Sequence, residues 1–117
     1  MDRVKALFEV EGLEVAICDS KHSIERFHER FGDRNSELDI IACLMSMAEY
    51  IIDLKSGKEF AVVDPYKNLA IIGCVNSYEL EISFDLITVV ETNKFYVKKG
   101  TDTTVLNTTI LVENQTA

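Results

Sequence analysis

Tryptophan is missing from this chain of 117 residues, proline occurs once and cysteine three times. A single proline and 47% hydrophobic residues leave no room for an extended disordered region, so the composition is that of a globular chain long enough for one core, and a single domain over 1–117 is expected. Cys18, Cys43 and Cys74 are odd in number, far apart and set among apolar neighbours. That excludes a disulfide framework and a closely spaced zinc site, and reads as buried reduced thiols in a cytoplasmic protein. The two Asn-x-Thr triplets at Asn107 and Asn114 are then chance matches. No apolar run approaches the roughly 20 residues of a membrane span, and residues 1–14 mix charges with apolar residues, so neither a membrane partner nor a secretory leader is expected. Cations are also scarce: 12 Lys and Arg against 20 Asp and Glu give a net charge of −8. Such a chain repels phosphate backbones at long range, which argues against a general nucleic-acid binder.

What is present divides into a helical first half and a strand-rich second half. Leu13, Val15 and Ile17 mark a short first strand over 13–18. Asp19 and Ser20 offer helix-capping oxygens, a helix is expected over about 21–31, and Gly32 ends it. A second helix spans 35–54, with Glu37 and Asp39 in its first turn, Lys55 near its end and Gly57 beyond. It carries two adjacent apolar stripes, Leu38, Ile41, Met45, Ala48, Ile52 and Ile40, Leu44, Met47, Ile51. A helix apolar over more than half its circumference is buried on two sides, and a homodimer through this helix is one way to cover the second. Alternation follows. Phe60 and Val62 lead into a turn at 64–68, a fully apolar strand covers 69–75, and Asn76 and Ser77 turn again. Leu80, Ile82, Phe84 and Leu86 alternate with Glu79, Glu81, Ser83 and Asp85, with a slip of one residue near Ile87 that signals a β-bulge. Short strands at 95–97 and 103–112 complete the reading. The fold class is α+β: a short strand and two helices, then an antiparallel meander of four to five strands, the helices packed on one face.

The segment from Lys21 to Arg34 is the most unusual. At 100° per residue His22, Arg26 and Arg30 share one side of a helix whose other side is Ile24, Phe27 and Phe31. Three nitrogen-bearing side chains in a row can hold a phosphate, and a histidine among them can move a proton near neutral pH. The same segment holds Glu25, Glu29 and Asp33 against Lys21, Arg26, Arg30 and Arg34, so a solvated, salt-bridged face is the favoured account of it.

The run Lys21-His22-x-x-x-Arg26-x-x-x-Arg30-Phe31-Gly32 resembles the opening helix of small phage and plasmid proteins of the RelE/barnase-like ribonuclease assemblage. The likeness of layout extends over about residues 13–91 and includes Ile87-Thr88-Val89, although only about six positions match in identity. It implies a metal-independent endoribonuclease of the toxin type, with His22 as acid or base, Arg26 and Arg30 on the RNA phosphate, and Thr88 as the strand position. Ribonucleases of this kind are basic, and this chain is not.

Other chemistry finds no motif. GxGxxG, Walker-type, GxSxG and CxxC patterns are lacking, His22 and His28 lie on different helix faces, and no cofactor or metal is expected. Lys94, Lys98 and Lys99 make a small cationic spot that protects a strand edge, and Tyr66, Tyr78, Phe95 and Tyr96 lie in or beside turns. The charge balance therefore favours binding over catalysis: a small acidic, plausibly phage-encoded inhibitor of anti-CRISPR or antirestriction type. Its protein partner is a nucleic-acid-handling protein with a basic surface. The carboxylates expected to make the contact are Glu79, Glu81 and Asp85 on one strand, with Asp39 and Asp53 on the second helix.

Overall fold

The computed structural model describes residues 3–19, 21–31 and 37–109, with the side chains of Arg3, Lys21, His22, Ile24 and Arg30 outside what is described. Ser20, Gly32, Asn35 and Ser36, to which the sequence assigns helix starts and stops, likewise lie outside the described residues. The elements run β1 (Arg3–Val10), β2 (Leu13–Asp19), α1 (Lys21–Phe31), α2 (Glu37–Ser46), α3 (Ala48–Ile51), β3 (Glu59–Asp64), β4 (Leu69–Tyr78), β5 (Glu81–Val90) and β6 (Thr103–Asn107). The fold is α+β, with one six-stranded sheet in the order β1-β2-β5-β4-β3-β6.

The sheet is mixed, which corrects the expected antiparallel meander of four to five strands. β2 pairs with β5 in parallel, as does β3 with β6. Only β1/β2, β3/β4 and β4/β5 are antiparallel. The connections explain the mixture. The three helices carry the chain from β2 to the far side of the sheet, and two hairpins then bring it back, so β5 arrives beside β2 in the same direction. Segment 91–102 crosses the sheet again before β6 joins β3.

β1 is a strand that the sequence reading passes over. It forms a two-residue hairpin with β2, in which Glu11 (φ 51°) and Gly12 (φ 81°) both occupy the left-handed region. Two positive φ values in succession are what a type I′ turn needs to match the twist of its strands. A bulge between Val4 and Ala6 turns Lys5 toward the helices. There its Nζ lies 3.8 Å from the buried Asp19 carboxylate and 3.3 Å from that of Glu37 at the start of α2.

Four further expectations change. The single helix over 35–54 is broken at Met47, whose N–H reaches back three residues to Leu44 (3.2 Å). Ser46 Oγ donates to the Cys43 carbonyl at 2.7 Å, and such side-chain bonding to the helix backbone competes with a regular turn. Asn76 and Ser77 belong to β4, and the turn falls at Glu79 and Leu80, Glu79 having φ 57°. Residues 95–97 form no strand. β4 and β2 already occupy both edges of β5, so the chain leaves the sheet through a 3₁₀ turn at Thr92–Lys94. β6 ends at Asn107, short of the expected residue 112. The Asp64 turn forms as expected: Oδ1 accepts hydrogen bonds from the N–H groups of Tyr66 (3.1 Å) and Lys67 (3.3 Å).

Alternation decides which face each residue takes. Val15 and Ile17 of β2, Phe60 and Val62 of β3, Leu69, Ile71 and Val75 of β4, and Ile82, Phe84 and Val89 of β5 face the helices. They pack with Phe27 and Phe31 of α1, Ile40, Cys43 and Leu44 of α2, and Met47 and Ile51 around α3. Phe60 and Phe84 meet edge to face at 5.9 Å. Phe60 also pairs across the ladder with Gly73, and its ring fills the space over that glycine: a Cβ there would lie 2.8 Å from Phe60 Cζ. The bulge expected near Ile87 is present, since Gly73 pairs with Leu86 and Ile72 with Thr88. Val89 thus stays in the core, and Thr88 turns to the opposite face.

Candidate protein-binding surface

The face of the sheet away from the helices is open at one end. Glu9 pairs with Glu14 across β1/β2, and Glu14 with Glu81 across β2/β5. Three carboxylates therefore stand in a row on one face, at the inter-strand spacing of about 4.8 Å. Glu11 and Glu79 occupy the two turns at the same end. A hydrogen bond from Glu14 N–H to the Leu80 carbonyl (3.3 Å) holds those turns side by side. All five glutamates are exposed, and none makes an ion pair with a described residue. Among them stand apolar side chains that the core does not claim: Tyr78 is 78% exposed, Leu80 72% and Leu7 63%. Glu9, Glu14 and Glu81 line a shallow hollow of about 540 Å³ together with Leu7 and Leu80. Like charges directly opposite one another weaken a sheet, so this row works against the fold and is held in place by the hydrogen-bonded ladders around it.

The acidic residues picked from the sequence do not form one surface. Glu79 and Glu81 belong to this corner. Asp85 is further along the same face and half-buried, its Oδ2 accepting hydrogen bonds from Asn76 Nδ2 (2.6 Å) and Ser83 Oγ (3.1 Å). Asp39 lies in the helix layer, 3.5 Å from Lys67 Nζ, and Asp53 is exposed after α3. Glu9, Glu11 and Glu14 were missed with β1. The signal for them was the alternation of Phe8, Val10, Leu13 and Val15 about the Glu-Gly pair.

The phosphate-binding set is divided as well. Arg26 is exposed on α1 and lies 3.7 Å from Glu29, an ordinary surface pair. The side chains of His22 and Arg30 lie outside those described. Thr88 is paired with Ile72 on the open face, whereas α1 packs through Phe27 and Phe31 on the other. The sheet thus stands between Thr88 and the helix that was to share its phosphate.

Of the three thiols expected to be buried only Cys43 is, since Cys18 and Cys74 are half-buried on strands of the sheet. Cys43 is enclosed in the core, and burial, reinforced by the Asp64 carboxylate, pushes its pKa up to about 12. Cys74, half-buried on the open face, is raised by burial and then by Asp85 and Glu59. No group of three His, Cys, Asp or Glu among the described residues is placed to hold a metal ion, and no helix among them is long and apolar enough to cross a membrane. Comparison of the chain with protein-family models, with curated proteins and with solved structures gives no match.

Proposed function

We propose that this is a small acidic binding protein that occupies a basic surface of a nucleic-acid-handling partner, in the manner of an anti-CRISPR or antirestriction inhibitor. The observation that carries this reading is the row Glu9–Glu14–Glu81, without an ion pair to any described residue, flanked by Glu11 and Glu79 and interleaved with exposed Leu7, Tyr78 and Leu80. A line of carboxylates on a rigid sheet offers a basic surface what a phosphate backbone offers it. Long-range attraction speeds encounter, and the exposed aromatic and aliphatic side chains then bury against the partner. The net charge of −8 adds to the same field.

Affinity capture from a lysate, run in parallel with the wild type and with Glu9→Gln/Glu14→Gln/Glu81→Gln, tests it. Basic nucleic-acid-binding proteins are expected on the wild type, released by a few hundred millimolar salt and missing from the triple variant. The same proteins retained by both, at all salt concentrations, would overturn the reading.

Self-association through α2 is a second reading, supported by Leu38 and Met45, which belong to one apolar stripe and are exposed. A dimer that sediments as a monomer after Leu38→Glu supports it, and a wild type that sediments as a monomer refutes it.

A further inference from the structure

At the other end of the open face, about the length of β5 away from the acidic corner, segment 91–102 crosses the sheet as a strap fixed at both ends. At the first end Asn68 Oδ1 accepts hydrogen bonds from Thr92 N–H (3.1 Å) and Thr92 Oγ1 (2.5 Å). At the second, Asp102 is ion-paired with Lys58, and Thr103 Oγ1 donates to Glu59 Oε1 at 2.9 Å. Between the pins the strap does not close onto the sheet. It leaves a groove of about 340 Å³, floored by Ile72, Thr88 and Val90 and walled by Phe95 and Val97. That volume is within the range of small-molecule sites, roughly 300–1,000 Å³.

The charges at this groove are opposite to those of the protein as a whole. Lys94 and Lys98 line it, and neither makes an ion pair with a described residue. The one acid in the lining is Glu59, which already accepts the Thr103 hydroxyl. Apolar surface bordered by two exposed ammonium groups favours a ligand with an apolar body and a single negative head, because an anion gains charge-assisted hydrogen bonds from the lysines that a neutral ligand does not, and a cation is repelled. We propose that this groove binds a small amphipathic carboxylate, its apolar body on Ile72, Val90 and Phe95 and its carboxylate between Lys94 and Lys98. The proposal is independent of the acidic corner and of any partner that docks there.

The fluorescent probe anilinonaphthalenesulfonate, titrated into the full chain, reads the site. One saturable site per chain is expected, with the probe displaced by octanoate and not by octanol at equal concentration. Lys94→Gln/Lys98→Gln, two exposed positions outside the core, is expected to weaken probe and octanoate about tenfold. Ile72→Trp, which fills the floor, is expected to abolish binding; should that variant fail to fold, the lysine variant and the octanoate-octanol pair decide. Absence of a saturable site, equal displacement by octanol, or unchanged affinity in the lysine variant each overturns the assignment.

Discussion

Along β5 the side chains of Ile82 and Phe84 enter the core, while Ser83 and Asp85 between and after them stand on the open face, and β2 and β4 divide in the same way. The helix-covered face is assembled from rings and branched aliphatics in mutual contact. The open face carries carboxylates in a row at one end and lysines about a groove at the other. A sheet needs only every second residue for its core, so the intervening ones are free to take compositions that stability alone would not select. The covered face therefore records the fold, and the open face is where binding is sought.

The largest expected effect sets two neighbours against each other. Phe84→Ala removes a fully buried ring in contact with Phe60 and Phe8, a loss of about 3–5 kcal/mol. Ser83→Ala, one residue away on the open face, is expected to cost no more than about 1 kcal/mol, the worth of one half-exposed hydrogen bond to Asp85. Urea unfolding of both variants measures the gap, and similar losses would show that the open face is part of the stabilising core. Gly73→Ala is next, at about 1–3 kcal/mol, because the new methyl meets Phe60 Cζ at 2.8 Å and the Asp85 carbonyl at 3.0 Å. If the ring is the obstacle, Phe60→Leu should lower the cost of Gly73→Ala in a double-mutant cycle; additive losses would place the clash at the backbone.

The covered face was also the legible one. The extent of α1, the buried stripe Ile40, Leu44, Met47 and Ile51, the turn at 64–68 and the bulge at Ile87 all follow from local spacing and were expected from it. The parallel pairings were not legible, because nothing in the spacing within β2 or β5 states which distant strand will lie beside it. β1 is hidden from local spacing for a different reason. Its turn places Glu11 where asparagine or aspartate is the usual signal, and its bulge at Lys5 interrupts the alternation. Three of the five glutamates of the acidic corner are invisible as a consequence. Glu79 and Glu81 were named, but the strands that bring Glu9 and Glu14 into line with Glu81 meet only in three dimensions.

The two faces hold thiols of different behaviour, and alkaline pH separates them. With Cys43 at about 12 in the folded protein and near 9.0 when unfolded, the unfolded chain gives up its proton first. The contribution of Cys43 to stability is therefore full below about pH 9 and is lost through the window from 9 to 12, by about 1 kcal/mol per pH unit. Cys43→Ala should flatten this slope relative to the wild type. An unchanged slope would show that the thiol is not shielded as its burial requires. Alkylation at pH 8 should spare Cys43 until the protein unfolds and modify half-buried Cys74 sooner, although slowly, since burial and the nearby carboxylates hold its thiol protonated as well.

The smallest effect carries a change of sign. Glu14 stands between Glu9 and Glu81 with no cation among the described residues paired to it, so Glu14→Gln relieves repulsion and should raise stability by about 0.3 kcal/mol at low ionic strength. Asp39 in the helix layer faces Lys67 at 3.5 Å, so Asp39→Asn removes an attraction and should lower stability by a similar amount. Both differences should shrink as added salt shortens the screening length to a few ångströms, whereas the losses at Phe84 and Gly73 should not. A destabilising Glu14→Gln would mean that the carboxylate row supports the sheet instead of straining it. If these glutamates serve a partner and not the fold, removing the central one must stabilise the sheet.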